Sequence, residues 1–160
     1  MNLNEMIDSF VNIALDLGAD ITPVENAFWI DELEKKLGKR YPASFHSLLT
    51  RYQFIPFEIG GIQFFGNTGL NDIDEMAVAI FRDPIIAQTT QAHGYIQFAC
   101  PADGSYDPIC FDTSARAHNR EYPIVHIDHE QILSFGRIGS PGVKVASFYK
   151  FVLGVIKNSL

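Results

Sequence analysis

The pattern of apolar and polar residues divides the chain into a helical first third and a strand-rich remainder. Apolar side chains recur at spacings of three and four from Leu3 to Leu17, which places them on one face of a helix. A second helix is predicted from Thr22, where Thr-Pro-Val-Glu can form a capping box, to Gly38, which can close it in the left-handed conformation. A third helix is predicted to begin at Pro42, with these side chains facing inward: Phe45, Leu48 and Leu49.

Short runs rich in aromatic and β-branched residues follow from Phe54 onward, and they predict strands. FIPFEI and GIQFF indicate a hairpin, and YIQFAC, PICFD and YPIVHID indicate three further strands. PICFD shows no polar alternation, so we expect it to be central in the sheet and covered on both faces. The state of residues 77–91 stays open between helix and strand, and the segment from Phe148 to Ile156 predicts a last helix that packs on the sheet.

These elements predict an α+β fold in which helices pack against a sheet of about five strands. The 160 residues are 47% apolar and include 13 Phe, enough for one substantial core, so we expect a single domain over residues 1–160. No apolar run reaches the length of about 18 residues that a membrane span needs, and no signal peptide is evident, which predicts a soluble cytoplasmic protein. Cys100 and Cys110 are expected to be reduced and to lie on neighbouring strands, opposite each other if the hairpin turns about Ser105.

Acidic residues are concentrated in the middle of the chain. The net charge is −7, and residues 52–115 alone carry eight acids against one base, Arg82. Such a segment repels phosphate backbones, so direct binding of nucleic acid is not expected, since that binding depends on Lys and Arg. A basic protein surface is the partner that this charge favours.

The motifs of common chemistries are missing from the sequence. The His and Cys residues lack zinc-finger and HExxH spacing, and no Walker, GxGxxG or GxSxG motif occurs. We therefore expect no metal, no cofactor and no enzymatic activity. One hydrolase hypothesis stays open, in which Asp107 and Asp112 act with His126 or His129, although an Asp at a strand end more often caps a backbone amide. Asp103-Gly104 is interpreted as a turn.

Two blocks of residues resemble the SMI1/KNR4 family of the SUKH superfamily. The first block follows the order I..LE..LG and then P..F..LL, and it comprises Ile30, Leu33, Glu34, Leu37, Gly38, Tyr41, Pro42, Phe45, Leu48 and Leu49. The second block comprises Ile96 to Ala99, Asp103-Gly104, Asp107, Phe111-Asp112, Pro123 to Val125 and Asp128 to Glu130, and a terminal helix with Ser147-Phe148 and Phe151-Val152 follows. The likeness covers roughly residues 22–155. Two positions depart from the family: Tyr41 stands where Leu is usual, and Tyr52-Gln53 replaces a frequent Asn-Gly.

The resemblance implies an α+β fold with a mainly antiparallel sheet of about five to six strands flanked by helices. It also implies a protein-binding function without catalytic residues. Bacterial members of the family are thought to be immunity proteins that neutralise polymorphic toxins, often nucleases, and the lack of a disordered extension favours that type. Fungal members are regulators, so a regulatory or scaffold protein of the same fold is the alternative. With the acidic segment, this predicts a basic toxin domain as partner. The predicted contact residues are Glu58, Asp72, Asp74, Glu75, Asp83, Asp107 and Asp112.

Overall fold

A mainly antiparallel sheet with helices on both faces forms the centre of the computed structural model, which describes residues 1–68 and 75–159. The helices are α1 (Leu3–Asp16), α2 (Trp29–Leu37), α3 (Ala43–Arg51), α4 (Glu75–Ile80), α5 (Pro84–Ala92), α6 (His129–Phe135) and α7 (Phe148–Ser159). The strands are β1 (Ile21–Pro23), β2 (Tyr52–Phe54), β3 (Phe57–Ile59), β4 (Ile62–Phe64), β5 (Tyr95–Pro101), β6 (Ile109–Asp112), β7 (Ile124–His126) and β8 (Gly142–Val145). The predicted α+β class is confirmed.

The main sheet has six strands in the order in which they occur along the chain, from β3 at one edge to β8 at the other. Every neighbouring pair is antiparallel. The PICFD run forms β6, which lies between β5 and β7 and is buried along Ile109–Phe111. This position confirms the prediction that the strand is central. A strand covered on both faces needs no alternation of polar and apolar residues.

One face of the main sheet is sealed by an aromatic core. Phe10 of α1, Phe45 of α3 and Phe148 of α7 lie against rings of the sheet, with centroids 5.1 to 6.4 Å apart. The sheet contributes Phe64, Phe98 and Phe111 to these contacts. We call this side of the sheet the aromatic face, and the last helix packs on it as the sequence predicted.

The opposite face is covered only in part. Helices α5 and α6 place Ile86 and Ile132 against Cys110, Val125 and Ile127, which form a separate, smaller apolar cluster. We call this side the open face. No helix in the described part of the chain is long and apolar enough to cross a membrane.

The second helix begins at Trp29, so the capping box predicted at Thr22 is wrong. Residues Ile21–Pro23 form β1, which pairs with β2 in a small sheet of its own. Pairing across the molecule thus overrides a local capping signal, as tertiary contacts commonly do. The predicted end at Gly38 is confirmed by its left-handed φ of 68°.

Residues 77–91, left open by the sequence, belong mostly to α4 and α5. The Asp83 carboxylate caps α5 by accepting hydrogen bonds from the amides of Ile85 and Ile86.

Glu121 ties two helices of the aromatic face together at their first turns. Its carboxylate accepts hydrogen bonds from the Ser44 amide at 2.8 Å and the Ser44 hydroxyl at 2.7 Å in α3. It also accepts from the Tyr149 amide in α7 at 3.4 Å. A carboxylate near two helix N-termini satisfies amides that lack intrahelical partners, and its charge favours both dipoles.

Candidate functional site: an acidic groove on the open face

A bulge in β5 determines which side chains reach the open face. The register to β6 shifts between Gln97 and Ala99, and both Phe98 and Ala99 are buried in the core of the aromatic face. An extra residue in a strand reverses the alternation beyond it, so Gln97 and Cys100 point to the same side. That side is the open face, because Gln97 lies opposite Cys110.

The two cysteines are not opposite each other, so that prediction is wrong. Cys110 lies opposite Gln97, whereas Cys100 lies opposite Gln63 of β4. The sequence places the turn near Ser105, but Ala99 already pairs with Ile109, the first residue of β6, so Cys100 lies beyond the paired part of β6. Both thiols are free, and burial raises the pKa of each.

A groove of about 740 Å³ lies on the open face. Its floor includes Gln63, Gln97 and Cys100, which the register brings side by side. Helices α4 and α5 and the connection between them supply one part of its lining, and the turn after β5 together with α6 supplies another. Three exposed apolar side chains line it: Val78, Tyr106 and Leu133, which are 58%, 73% and 48% exposed.

The groove is bordered by carboxylates. Glu75 and Asp83 line it, and Glu58 lies directly opposite Gln63 in the sheet, so its side chain emerges next to the floor. Asp103 lies in the adjoining turn, where its side chain accepts from the Ser105 amide, which confirms its predicted role as a turn residue. Burial raises the pKa of the Cys100 thiol, and the nearby carboxylates of Asp103 and Glu58 raise it further. The lining contains a single basic side chain among the described residues, Arg82.

Asp107 joins two histidines beside this groove. One carboxylate oxygen lies 2.7 Å from His126 Nε2, and the other lies 2.6 Å from His129 Nδ1 and also accepts from the His129 amide at 3.0 Å. His129 lines the groove, and the ring of Tyr106 stands edge-on to it with centroids 6.1 Å apart. The three side chains therefore form one cluster at the end of β6 and β7.

The hydrogen bonds to Asp107 determine its ionisation. Partial burial by itself raises the pKa of this carboxyl group, but the bonds from the amide and ring of His129 and from His126 outweigh it and hold the pKa at about 2. A carboxylate that accepts several hydrogen bonds keeps its charge because the protonated form would lose them. Asp107 is thus an anion throughout the neutral range, and it orients both imidazoles.

The predicted contact residues are divided between the groove and other places. Glu58, Glu75 and Asp83 lie at the groove. Asp107 does not line the groove itself but is hydrogen-bonded to His129, which does. Asp112 lies at the other end of β6, where its carboxylate accepts hydrogen bonds from the Ser114 and Ala115 amides of the following turn. Asp72 and Asp74 lie outside the described residues.

Only some of the residues that the hydrolase hypothesis requires lie close together. Asp107, His126 and His129 converge, but Asp112 is five residues along an extended segment from Asp107, a span of about 16 Å. It cannot share a substrate with the histidines. The sequence also missed the part played by Asp128, which brings a carboxylate oxygen within 4.8 Å of a carboxylate oxygen of Asp107 and a ring nitrogen of His129. The short spacing of His126, Asp128 and His129 is the signal that could have indicated it.

Comparison with protein-family models finds no match, and comparison with curated proteins finds no similar one.

Proposed function

We propose that this protein binds a basic protein domain in the groove on its open face and thereby neutralises it, as an immunity protein acts on a toxin. The observation that carries the proposal is the combination of exposed apolar side chains within the groove and carboxylates around it. Val78, Tyr106 and Leu133 offer apolar contact area, and Glu58, Glu75 and Asp83 surround it.

An apolar centre with a polar rim is the common anatomy of protein interfaces. Water is excluded from the centre, where a few large side chains provide most of the binding energy. Tyr106 suits that role, because its ring is 73% exposed and is already held beside His129. Exposed Val, Tyr and Leu side chains gathered in one concavity support a docking role, since single exposed apolar residues are ordinary but a group is not.

The charge around the groove supports a basic occupant. Within the described lining, Arg82 is the one cation, while Glu58 and Asp103 stand beside the floor. A nuclease presents Lys and Arg to the phosphate backbone, so a carboxylate-rimmed groove complements that surface and speeds association. A volume of about 740 Å³ accommodates a protruding loop or helix end of the partner.

The test is binding and neutralisation of the candidate toxin domain encoded next to this protein's gene. Titration calorimetry with the two purified proteins should show saturable binding that weakens as salt rises, because the rim charges are screened. Glu58→Lys and Tyr106→Ala should each weaken binding at least about tenfold, the first mainly at low salt and the second at all salt concentrations. The matched control is Glu25→Lys, an exposed acid in another part of the chain.

A growth assay separates neutralisation from mere binding. Cells that produce the toxin domain should survive when they also produce the protein, and should die when it carries Glu58→Lys and Tyr106→Ala together. Binding without rescue would favour the regulatory or scaffold alternative. Absence of binding, or equal binding by the groove variants and the wild type, would contradict the proposal.

A further inference from the structure

We propose that Asp107, Asp128 and His129 form a binding site for a divalent transition-metal ion of the zinc type. One ligand atom from each residue, two carboxylate oxygens and an imidazole nitrogen, can be chosen so that all three lie within 4.8 Å of one another. This set is distinct from the groove contacts proposed above, although His129 adjoins both.

The backbone brings the three ligands together. Asp107 lies just before β6, and Asp128 and His129 lie at the start of α6, directly after β7. The antiparallel pairing of β6 with β7 places these ends side by side, and the Ile127 amide donates to the Pro108 carbonyl at 3.0 Å between them. The His129 amide also donates to Asp107, so the carboxylate is held by main chain as well as by side chains.

Two of the three ligands, Asp107 and Asp128, have a supporting hydrogen bond of the kind that orients metal ligands. His126 holds one oxygen of Asp107 from the side, at 2.7 Å, without belonging to the set of three. Asp128 uses one oxygen to cap α6 through the Glu130 amide at 2.9 Å, which fixes the side chain and leaves the other oxygen for an ion. Such outer contacts are typical of metal sites, where they fix the rotamer and the basicity of the ligands.

The donor set indicates the class of metal. One imidazole with two carboxylates suits Zn²⁺ and neighbouring transition metals, whereas a Ca²⁺ site would use six or more oxygens. Three protein ligands leave further positions to water, and the ligands are partly accessible, with His129 22% and Asp107 21% exposed. The bound ion would therefore be exchangeable.

Binding replaces a proton. His129 Nδ1 and Asp107 Oδ1 lie 2.6 Å apart, and because an ionised carboxylate can only accept, the imidazole nitrogen is the donor of the hydrogen between them. Two ligands of one zinc ion are about 3.3 Å apart, so the ion takes the place of this hydrogen and separates the two groups slightly. The imidazole then carries its hydrogen on Nε2, because the nitrogen that binds the ion must be unprotonated.

The test is calorimetric titration of the full chain with ZnCl₂ after removal of metals by a chelator. We expect saturable binding of one ion per chain, which raises the melting temperature. His129→Ala and Asp128→Asn should abolish it, and Asp128→Asn keeps an oxygen that can cap the Glu130 amide. His126→Ala should weaken it by about 10- to 100-fold, as loss of an outer contact does.

Cobalt and two control variants identify the ligands. Co²⁺ bound at the same site should show visible absorption bands typical of nitrogen and oxygen ligands, without the near-ultraviolet band of a thiolate. His93→Ala and Cys100→Ser should bind as the wild type does. Absence of saturable binding would overturn the proposal, and so would binding that survives His129→Ala and Asp128→Asn in variants whose melting curves show that they are folded.

Discussion

The two faces of the main sheet differ in what covers them. The aromatic face is closed by α1, α3 and α7, and Phe45, Phe98, Phe111 and Phe148 on it are fully buried. The open face is covered by α5 and α6 over β6 and β7, but beside β3 and β4 it forms a groove with exposed Val78 and Tyr106. Side chains on the first face are therefore expected to determine stability, and those on the second to determine binding.

One carboxylate on each face illustrates this difference. On the aromatic face, the Glu121 carboxylate accepts hydrogen bonds from three donors at the first turns of α3 and α7. On the open face, Glu58 is exposed and makes no hydrogen bond within the described residues. A carboxylate that is already bonded contributes to folding, and at the groove this also holds for Asp83, which caps α5, and for Glu75, which accepts from the Thr68 hydroxyl. The exposed Glu58 carboxylate remains available to a partner, so the contrast between Glu121 and Glu58 can be tested by mutation.

The largest effect is expected from Phe45→Ala on the aromatic face. The ring is fully buried and contacts Phe98, Phe111 and Phe148 at centroid distances of 5.1 to 5.2 Å. Its removal leaves a cavity and should lower the free energy of unfolding by about 3–5 kcal/mol. Urea denaturation measures this, with Phe135→Ala as the matched control. That ring is 68% exposed, so the control should change stability by less than about 0.5 kcal/mol. Equal effects would contradict the division between the faces.

Glu121→Ala should have the next largest effect. It leaves the Ser44 amide and hydroxyl and the Tyr149 amide without their acceptor, and Ser44 is fully buried. The expected loss is about 2–3 kcal/mol, because an unsatisfied buried donor costs more than the bond itself provides. Glu121→Gln keeps an acceptor oxygen and should recover part of the loss in the same denaturation experiment. If it were as destabilising as the Ala variant, charge rather than hydrogen bonding would be the cause.

Asp107 makes the open face sensitive to acid. Its folded pKa of about 2 lies below the ordinary 3.8, so its contribution to stability is complete above pH 4 and is lost as the pH falls towards 2. The contribution is at most about 2.5 kcal/mol. Unfolding curves recorded over this range should show a steeper loss for the wild type than for Asp107→Asn. Parallel curves would show that the histidine contacts do not persist in solution.

The smallest effects on stability are expected within the groove itself. Val78→Ser changes a side chain that is 58% exposed and should alter the free energy of unfolding by less than about 0.5 kcal/mol. The same variant should still weaken binding of the basic partner, which calorimetry measures. A clear loss of stability would mean that the groove residues serve packing, contrary to their proposed role.

The sequence predicted the fold where local signals and packing agree. Gly38 ends a helix because its backbone takes a conformation that glycine favours, and the uniform apolar run of β6 reflects cover on both faces. The same reasoning failed at Thr22, where a capping motif is present but β1 pairs with β2. It left residues 77–91 open because their apolar spacing suits either state.

The amino-acid sequence by itself determined the α+β class, the order of most elements and the acidic character of the middle segment, because periodicity and charge are local properties. Only the tertiary structure decided which acids share a surface. Glu58 joins the groove through the pairing of β3 with β4, Asp112 is separated from it by the length of β6, and Asp107 meets His126 and His129 across about 20 residues of chain. Strand register and one bulge in β5 place these side chains, and both arise from contacts between residues far apart in the sequence.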